Sequence, residues 1–252
     1  MPAPRHLVIV GATSGIAQHC ARAWLAQPVE RLLLVGRDAA RLEAIAADLR
    51  VRQPRTRIEV LTGAFTGAAN VQALVGQVLA QGVPDTVLIA HGSLPDQAAC
   101  QADLAQAEAA MDLNGLSPVL FAEAFVGPLQ QAGAGTLVIL GSVAGDRGRK
   151  SNYVYGAAKG LVTRYAQGLQ HRLALAGSAV KVVLVKPGPT DTAMTAHLKA
   201  QGAKLADPDE VAAAIVRGAE RGQPVVYAPG KWALIMLVIR HLPRFVFNRM
   251  DI

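Results

Sequence analysis

Tyr155 and Lys159 are the residues whose types and spacing most directly indicate chemistry. They stand four positions apart in an alanine-rich stretch with a helical pattern, so a helix places both side chains on one face, one turn apart. A free phenol has a pKa of about 10 and exchanges protons poorly at neutral pH. Because a neighbouring ammonium favours the phenolate, we expect Lys159 to lower the pKa of Tyr155 towards the range of an acid–base catalyst.

Ser142 lies upstream of this pair, just after the apolar run at residues 137–140. The run is typical of a buried strand, so we expect Ser142 at the carboxyl end of a strand, where open α/β sheets bind ligands. A Tyr-x-x-x-Lys pair on its own also fits a packing tyrosine beside a surface lysine. The elements that position the three residues must decide between these interpretations.

Length and composition favour one large α/β domain. The chain has 252 residues, of which 52% are hydrophobic and 17% charged, which supplies a substantial core and argues against disorder. Cys20 and Cys100 give neither a disulfide framework nor a metal-ligand spacing, so we predict no metal and a reducing compartment. The short apolar run at residues 7–10 leads into a glycine turn rather than a cleavage site, so we expect a cytoplasmic protein.

The charge balance points to anionic partners. The formal net charge is +7, which favours a phosphorylated cofactor, a phosphorylated substrate or an anionic membrane surface. Nucleic acid is not predicted, because no basic stripe interleaved with aromatic residues is present.

The predicted first strand, residues 7–10, is followed by a glycine turn through Gly11 and Gly15 and then by a helical pattern. Such a turn lets backbone amides approach a pyrophosphate at a helix N-terminus. Arg37 follows the second predicted strand, where an arginine accommodates the 2′-phosphate of NADP, and the Ser14 hydroxyl is a second contact for it. The alternative for Arg37 is a surface arginine opening the next helix.

Strand and helix patterns alternate along the whole chain. Strands are predicted at residues 7–10, 31–35, 57–61, 86–90, 136–140, 180–186 and 225–228, and two helices, broken near Asn114 or Pro118, at 96–131. This alternation predicts a single-domain, Rossmann-like, doubly wound parallel sheet flanked by helices on both faces. We assign residues 1–230 to this domain and residues 231–252 to an appended tail.

The chain resembles the short-chain dehydrogenase/reductase family over nearly its whole length. The residues that carry the resemblance, in order, are Gly11, Gly15, Asn114, Ser142, Tyr155, Lys159, Pro187, Gly188 and Thr192. The resemblance implies that Tyr155 exchanges a proton with the substrate oxygen and that Ser142 hydrogen-bonds the same oxygen. It also implies that Lys159 binds the nicotinamide ribose, and that Asn114 holds a water linking Lys159 to solvent.

The resemblance further implies NADP as the cofactor. The implied contacts are Gly11, Thr13, Ser14, Gly15, Ile16, Arg37, Ala64, Phe65, Ala90, Gly92, Tyr155, Lys159, Pro187, Gly188, Thr190 and Thr192. Three departures bear on adenine binding: Ala17 replaces a glycine, Ala64 and Phe65 replace Asp-Val, and the fourth strand ends in Ile-Ala-His91-Gly. His91 either contacts the cofactor or supports the turn after the fourth strand through a hydrogen bond.

Two basic segments give information about the substrate. Arg147, Arg149 and Lys150 lie between Ser142 and Tyr155 and predict a site for an anionic group of the substrate; the alternative is a solvated basic loop. The loop from residue 145 to residue 155 and the basic, apolar tail are similar to one branch of the family, reductases of keto-sugars carried on polyprenyl phosphate.

The tail has eight apolar residues from Trp232 to Ile239, with cations on both sides. Because a membrane span needs about 20 apolar residues, the tail is too short to cross a bilayer, and its composition suits a helix lying on an anionic membrane surface. The alternative is a helix packed over the substrate pocket or at a subunit interface.

These features together predict an NADPH-dependent reductase that converts a ketone to a secondary alcohol. We expect an apolar or lipid-linked, phosphate-bearing substrate, peripheral contact with the inner face of the membrane, and a homo-oligomer, either a dimer or a tetramer. Two alternatives stay open: a soluble ketoreductase of a small metabolite or acyl thioester, and an NADP-binding sensor without turnover.

Overall fold

The computed structural model describes residues 4–250, so positions 1–3 of the predicted domain and 251–252 of the predicted tail lie outside the described residues. Within that range the strands are β1 (His6–Val10), β2 (Arg31–Gly36), β3 (Arg57–Thr62), β4 (Thr86–Ile89), β5 (Thr136–Leu140), β6 (Lys181–Pro187) and β7 (Val225–Ala228). All of them run parallel in one sheet of order β3-β2-β1-β4-β5-β6-β7. The predicted parallel sheet is confirmed.

The helices cover both faces of this sheet. They are α1 (Gly15–Leu25), α2 (Ala39–Arg52), α3 (Ala68–Leu79), α4 (Gln97–Ala102), α5 (Leu104–Met111), α6 (Ser117–Gln131), α7 (Tyr153–Leu175), α8 (Ala196–Ala200), α9 (Pro208–Arg221), α10 (Lys231–His241) and α11 (Arg244–Phe247). Helices α1, α2 and α9 pack on one face, whereas α3, α6 and α7 pack on the other. This arrangement confirms the doubly wound architecture.

Alternation along the strands divides the core into two layers. In β1, Leu7 and Ile9 join the layer beneath α1 and α9, while Val8 and Val10 join the layer beneath α6 and α7. All four side chains are fully buried, which is why the strand reads as a continuous apolar run. Burial of each such side chain contributes roughly 1.5–3 kcal/mol, so the sheet is a rigid platform for the loops at its carboxyl edge.

The segment at residues 96–131 differs from the prediction of two helices. It contains α4, α5 and α6, because Asp103 ends α4 and caps α5 by accepting a hydrogen bond from the Ala105 amide at 2.9 Å. The break predicted near Asn114 is a π-helical turn, Asp112–Leu116, which joins α5 to α6. The short α8 was also not predicted, because one helical turn carries too little periodicity to identify.

The tail folds back onto the domain through one side only. Met236 is 4% exposed, whereas Leu234 and Val238 are 68% and 55% exposed. Trp232 packs so tightly on Gly188 that a Cβ at that glycine would lie 1.9 Å from the indole nitrogen. No helix within residues 4–250 is both long and apolar enough to cross a membrane.

Candidate active site

The site lies at the carboxyl edge of the sheet, where the strand order reverses between β1 and β4. Gly11 follows β1 with φ +84°, and a Cβ there would lie 2.5 Å from the backbone nitrogen of His91, which follows β4. Only glycine fits this close approach. The two turns therefore meet at the switch point, the usual location of ligand sites in such sheets.

The first turn of α1 forms one wall of the cleft. Ser14 and Ile16 line it, and α1 has neither a side-chain cap at its N-terminus nor an acidic residue in its first turn. A Cβ at Gly15 would lie 2.8 Å from Cγ2 of Thr192, so the segment after β6 closes onto this turn. The positive end of the helix dipole is thus available to an anion such as a pyrophosphate.

Ser142 begins a 3₁₀ turn, Val143–Gly145, directly after β5, and its Oγ accepts a hydrogen bond from the Ala144 amide at 3.1 Å. A Cβ at Gly145 would lie 2.6 Å from the carbonyl carbon of Lys159. The backbone of this turn therefore rests directly on the backbone of α7, which fixes the position of Ser142 relative to the helix.

Tyr155 and Lys159 lie on α7, as the spacing predicts, and both line the cleft with Ser142. Lys159 is 3% exposed, and its Nζ donates a hydrogen bond to the Leu140 carbonyl at 3.0 Å. Burial lowers the pKa of Lys159 to about 8. The ammonium therefore remains mostly protonated at neutral pH, but less firmly than a surface lysine.

The expected direction of the Tyr155 pKa is wrong for this structure. Burial raises the pKa of Tyr155 above its ordinary value, and a hydrogen bond with Ser142 only partly opposes that effect. Lys159 does not reverse the direction, because its Nζ lies 5.9 Å from the centre of the phenol ring and donates to a carbonyl. Tyr155 is therefore held as a neutral phenol.

Asn114 is fully buried in the π-helical turn between α5 and α6. Its Nδ2 donates to the Ala110 carbonyl at 2.9 Å, and its Oδ1 accepts from the Ser93 amide at 2.8 Å. A Cβ at Gly92 would lie 2.8 Å from that Oδ1 and 3.7 Å from Nζ of Lys159. The absence of a side chain at Gly92 thus allows Asn114 to lie close to Lys159, and π turns of this kind are common at functional sites.

His91 supports the turn after β4, which is one of the two predicted roles. Its Nε2 lies 2.8 Å from the Ser117 hydroxyl, which itself donates to the Phe65 carbonyl, so we assign the proton to Nε2. The ring packs on Phe65 and Phe121 at centroid distances of 4.8 and 5.3 Å. Burial, reinforced by the charges of Lys159 and Arg37, lowers the pKa of His91 to about 3, so the ring is neutral.

The structure brings most predicted site residues into one cleft of about 830 Å³, measured out to its open mouth. The predicted residues in its lining are Ser14, Ile16, Ala90, Gly92, Asn114, Ser142, Arg149, Tyr155, Lys159, Pro187, Gly188, Thr190 and Thr192. Gly11 contributes through its close approach to the His91 backbone, and Gly15 through its close approach to the Thr192 side chain. Thr13, Ala64 and Phe65 are not in the lining, and the Phe65 ring is buried in the core at 3% exposure.

Arg37 lies beyond the cleft lining at the end of β2, exposed to solvent. Its guanidinium stands 6.0 Å from the centre of the Phe65 ring. Within the described part of the chain it makes no hydrogen bond or ion pair. Its donors are therefore free to bind an anion at the edge of the cleft.

The three basic residues predicted to contact the substrate have different environments. The Arg149 side chain is half-buried in the cleft wall, and its guanidinium makes no hydrogen bond or ion pair to any residue from 4 to 250; burial lowers its pKa. Lys150 is exposed and lies instead at a neighbouring groove beside Phe247.

The prediction that Arg147 contacts the substrate is wrong, because its side chain binds the tail. Its Nη1 donates to the carbonyls of Ile239, at 2.5 Å, and Leu242, at 2.8 Å, and its guanidinium lies 3.7 Å from the centre of the Phe247 ring. Arg147 therefore fastens the tail to the loop after Ser142. Its partners are 92 and 95 positions away, so the local charge pattern gave no sign of them.

Sequence reasoning missed several lining residues, half of them apolar and half polar. They are Ser93, Leu94, Asn152, Met194, Thr195 and Leu198. The available signal was the Thr192-x-x-Thr195 spacing, since these two residues form a capping box at the start of the turn that carries Met194. Among the missed residues, Leu94, Met194 and Leu198 add apolar surface to the cleft.

Comparison with known proteins agrees with this geometry. A sequence model of the short chain dehydrogenase family matches residues 5–203. An uncharacterized oxidoreductase of Streptomyces coelicolor is 35% identical over 98% of this chain and 96% of its own length. One from Mycobacterium tuberculosis is 34% identical over 97% of this chain and 96% of its own length.

Among solved structures, a short-chain dehydrogenase from Sphingobium yanoikuyae in complex with NADPH superimposes with a TM-score of 0.79. It covers 99% of this chain and 96% of its own at 24% identity, a likeness that concerns the fold. The parallel sheet, the glycine turn at the switch point and the matched sequence model lead to one conclusion: this chain is an oxidoreductase that belongs to the short-chain dehydrogenase family.

Proposed function

We propose that this protein is an NADPH-dependent reductase that converts a ketone to a secondary alcohol. The observation that carries the proposal is the convergence of Ser142, Tyr155 and Lys159 in one cleft beside the glycine turn. The raised pKa of Tyr155 supports the direction of reduction, because it keeps the phenol in the protonated form that donates to a substrate oxygen.

The cleft fits a dinucleotide on structural grounds. Gly11 and Gly15 let the turn before α1 pack closely against His91 and Thr192, and the uncapped N-terminus of α1 at the cleft is suited to a pyrophosphate. The free guanidinium of Arg37 suits the 2′-phosphate that distinguishes NADP from NAD. Thr190, Thr192 and the Pro187 turn would hold the nicotinamide end, and a similar fold is known in complex with NADPH.

Bound NADPH supplies the hydride that reduces the carbonyl carbon. On this chain, the Ser142 hydroxyl donates a hydrogen bond to the carbonyl oxygen, and the Tyr155 phenol transfers its proton to that oxygen as negative charge develops. The Lys159 ammonium stabilises the phenolate that remains. Asn114, packed close to Lys159, would hold the water through which the phenolate regains a proton from solvent.

The substrate end of the cleft supports an anionic and partly apolar substrate. The half-buried guanidinium of Arg149 makes no hydrogen bond or ion pair inside the described chain, so an anionic group such as a phosphate would satisfy it. Leu94, Met194 and Leu198 supply apolar surface nearby. We therefore favour a lipid-linked, phosphate-bearing ketone over a small metabolite or an acyl thioester.

The tail supports a peripheral membrane location on the cytoplasmic side. Leu234, Leu237 and Val238 on α10 and Phe245 in α11 are between 48% and 68% exposed. The residues from 229 to 250 include no acidic side chain and carry the cations Lys231, Arg240, Arg244 and Arg249. An apolar face with a basic border suits an anionic lipid surface.

The activity is tested by following NADPH oxidation over a panel of ketones with wild-type protein and Tyr155→Phe. Loss of the phenol proton should reduce turnover by about 10²–10⁴-fold, while NADPH binding, measured by fluorescence titration, stays within about twofold. Wild-type turnover in Tyr155→Phe would contradict the assignment. Tight NADPH binding by a wild-type protein that turns over no ketone would favour the sensor alternative.

The membrane contact is tested by flotation with anionic and neutral vesicles. Deleting the tail is a poor test, because it also removes Trp232 from Gly188 and the carbonyl partners of Arg147. A better variant carries serine in place of Leu234, Leu237, Val238 and Phe245. We expect wild-type protein to float with anionic vesicles at low salt and this variant not to float with them.

Measuring the oligomeric state of wild-type protein and of this variant distinguishes a membrane contact of the tail from a subunit contact. A wild-type protein that floats with neither vesicle, and a variant that loses its dimeric or tetrameric state, would identify the exposed face as a subunit contact.

A further inference from the structure

Asp146 is the first residue after the turn that carries Ser142, and its carboxylate is buried. One oxygen forms an ion pair with Nζ of Lys186, and the side chains of the pair are 2% and 3% exposed respectively. The other oxygen accepts a hydrogen bond from the Tyr227 hydroxyl at 2.7 Å. A single carboxylate therefore joins the loop after β5 to strands β6 and β7.

The partners of Asp146 lie directly beside the nicotinamide-side segment of the cleft. Lys186 immediately precedes Pro187, the last residue of β6, where the segment to Thr192 begins. The Tyr227 ring lies 5.5 Å from Nζ of Lys186, and β7 holds Gly188 through a backbone hydrogen bond to the Ala228 carbonyl at 3.0 Å. The two walls of the cleft, one carrying Ser142 and the other Gly188, are thus linked through side chains outside the cleft lining.

None of Asp146, Lys186 and Tyr227 lines the cleft. A buried ion pair contributes little net stability compared with well-packed apolar residues of similar size, because desolvation offsets the attraction. A contribution to folding alone is therefore a weak reason for burying two charges here. What the pair does supply is a fixed distance between two segments that are 40 positions apart in sequence.

We infer that Asp146 is a positioning residue for the reductase: with Lys186 and Tyr227 it holds Ser142 in register with the Pro187–Thr192 segment. This inference rests on the proposed function. Loss of the link shifts the substrate oxygen relative to the nicotinamide site, so it slows turnover. It leaves NADPH affinity nearly unchanged, because the glycine turn at Gly11 and the Arg37 guanidinium, the contacts proposed for the phosphates, lie outside the linked segments.

The test replaces the whole pair, since Asp146→Asn alone strands a buried ammonium and threatens folding. The double variant Asp146→Asn/Lys186→Met removes both charges at similar volume. We expect a cooperative thermal transition, an NADPH Kd within about twofold of wild type, and a kcat at least about tenfold lower with a smaller change in KM. Tyr227→Phe, which deletes only one hydrogen bond, should lower kcat by about two- to fivefold.

A folded double variant with wild-type kcat would overturn the inference, as would equal losses of NADPH affinity and kcat, which indicate a general structural role. If the double variant does not fold, Tyr227→Phe decides: an unchanged kcat rejects the inference. Failure of the proposed function looks different, because wild-type protein itself then reduces no ketone.

Backbone hydrogen exchange supplies a readout that is independent of activity. In whichever of the two variants is folded, exchange should rise at both Ala144 and Gly188 and stay unchanged at Leu42 and Ala46 in α2, which packs at the opposite end of the sheet from β6 and β7. A rise at neither segment, or an equal rise at all of them, rejects the positioning role even if no substrate is found.

Discussion

The cofactor side and the substrate side of the cleft are held in place by different kinds of contact. On the cofactor side, Gly11 and Gly15 allow backbone to approach backbone or a neighbouring side chain, and Arg37 stands free in solvent. On the substrate side, Asp146 and Arg147 fasten one loop to elements 40 and 92 positions away. The first side is held by close packing at glycines and the second by polar side-chain links.

This difference predicts how substitutions on each side should affect binding and turnover. A free cation contributes affinity alone, so its loss weakens binding without moving neighbouring groups. A residue in a tight backbone contact or a buried link sets the relative position of reacting groups, where a displacement of about 1 Å can cost about 10²-fold in rate. The following substitutions test this contrast.

The largest effect is expected at Gly145. Alanine there would place a methyl group 2.6 Å from the Lys159 backbone and push the Ser142 turn away from α7. We expect kcat to fall by at least about 100-fold and the free energy of unfolding by about 1–3 kcal/mol. Steady-state kinetics and urea unfolding measure the two quantities.

Gly168→Ala on α7 is the matched control, since no atom of residues 4–250 outside the helix's own neighbouring backbone lies within 4 Å of its added methyl. It should leave kcat unchanged and raise stability by about 0.5–1 kcal/mol. A Gly145→Ala protein with normal kcat would mean that Ser142 is not positioned by this contact.

Arg37→Asp should have the next largest effect, on binding alone. Loss of charge-assisted hydrogen bonds worth about 1.5–3 kcal/mol raises the NADPH Kd at least about tenfold and leaves NADH affinity nearly unchanged. Fluorescence titration with both nucleotides measures the change. Arg55→Asp is the control, because Arg55 is exposed and precedes the amino end of β3, whereas Arg37 follows the carboxyl end of β2. A preference of the wild-type protein for NADH would contradict the assignment of Arg37.

Arg149→Gln should affect only anionic substrates. We expect the KM for a phosphorylated ketone to rise by about tenfold, with no change in the KM for its uncharged parent. Dihydroxyacetone phosphate and dihydroxyacetone form a suitable pair of probes. Equal changes for both compounds would indicate that Arg149 shapes the cleft rather than binding an anion.

At His91, at the junction of the two sides, the expected effect is on stability rather than on activity. Its pKa is about 3 in the folded chain and about 6.5 when unfolded, so the unfolded state binds more protons between these values. Stability from this residue is therefore complete above pH 6.5 and falls as pH decreases, by about 1.4 kcal/mol per unit near pH 5. Urea unfolding of His91→Phe should show a shallower decline from pH 6.5 to 4.5 than wild type; parallel curves would reject the shift.

Sequence reasoning succeeded where short-range pattern determines structure. The strands at the sheet centre are buried on both faces, so β1 and β5 appear as continuous apolar runs, and Tyr155 and Lys159 needed only the helical period to be placed together. Asp103 was missed because its capping role depends on a hydrogen bond that interrupts an otherwise helical composition.

Sequence reasoning failed where a residue's role is decided by a distant partner. Arg147 and Arg149 are chemically identical and two positions apart, yet one binds the tail and the other faces the cleft. The direction of the Tyr155 pKa was missed for a related reason: the spacing predicts a nearby cation, but desolvation depends on every group packed around the phenol.

The contact between Gly145 and the α7 backbone also bears on how the enzyme can change in the laboratory or over evolutionary time. No side chain separates Ser142's turn from the helix at that point, so mutation offers no gradual way to adjust their spacing. Variation in substrate range should therefore accumulate at Leu94, Met194 and Leu198, whose side chains line the cleft without supporting its frame. Libraries directed at these three positions should retain reductase chemistry while sampling substrates of different shape.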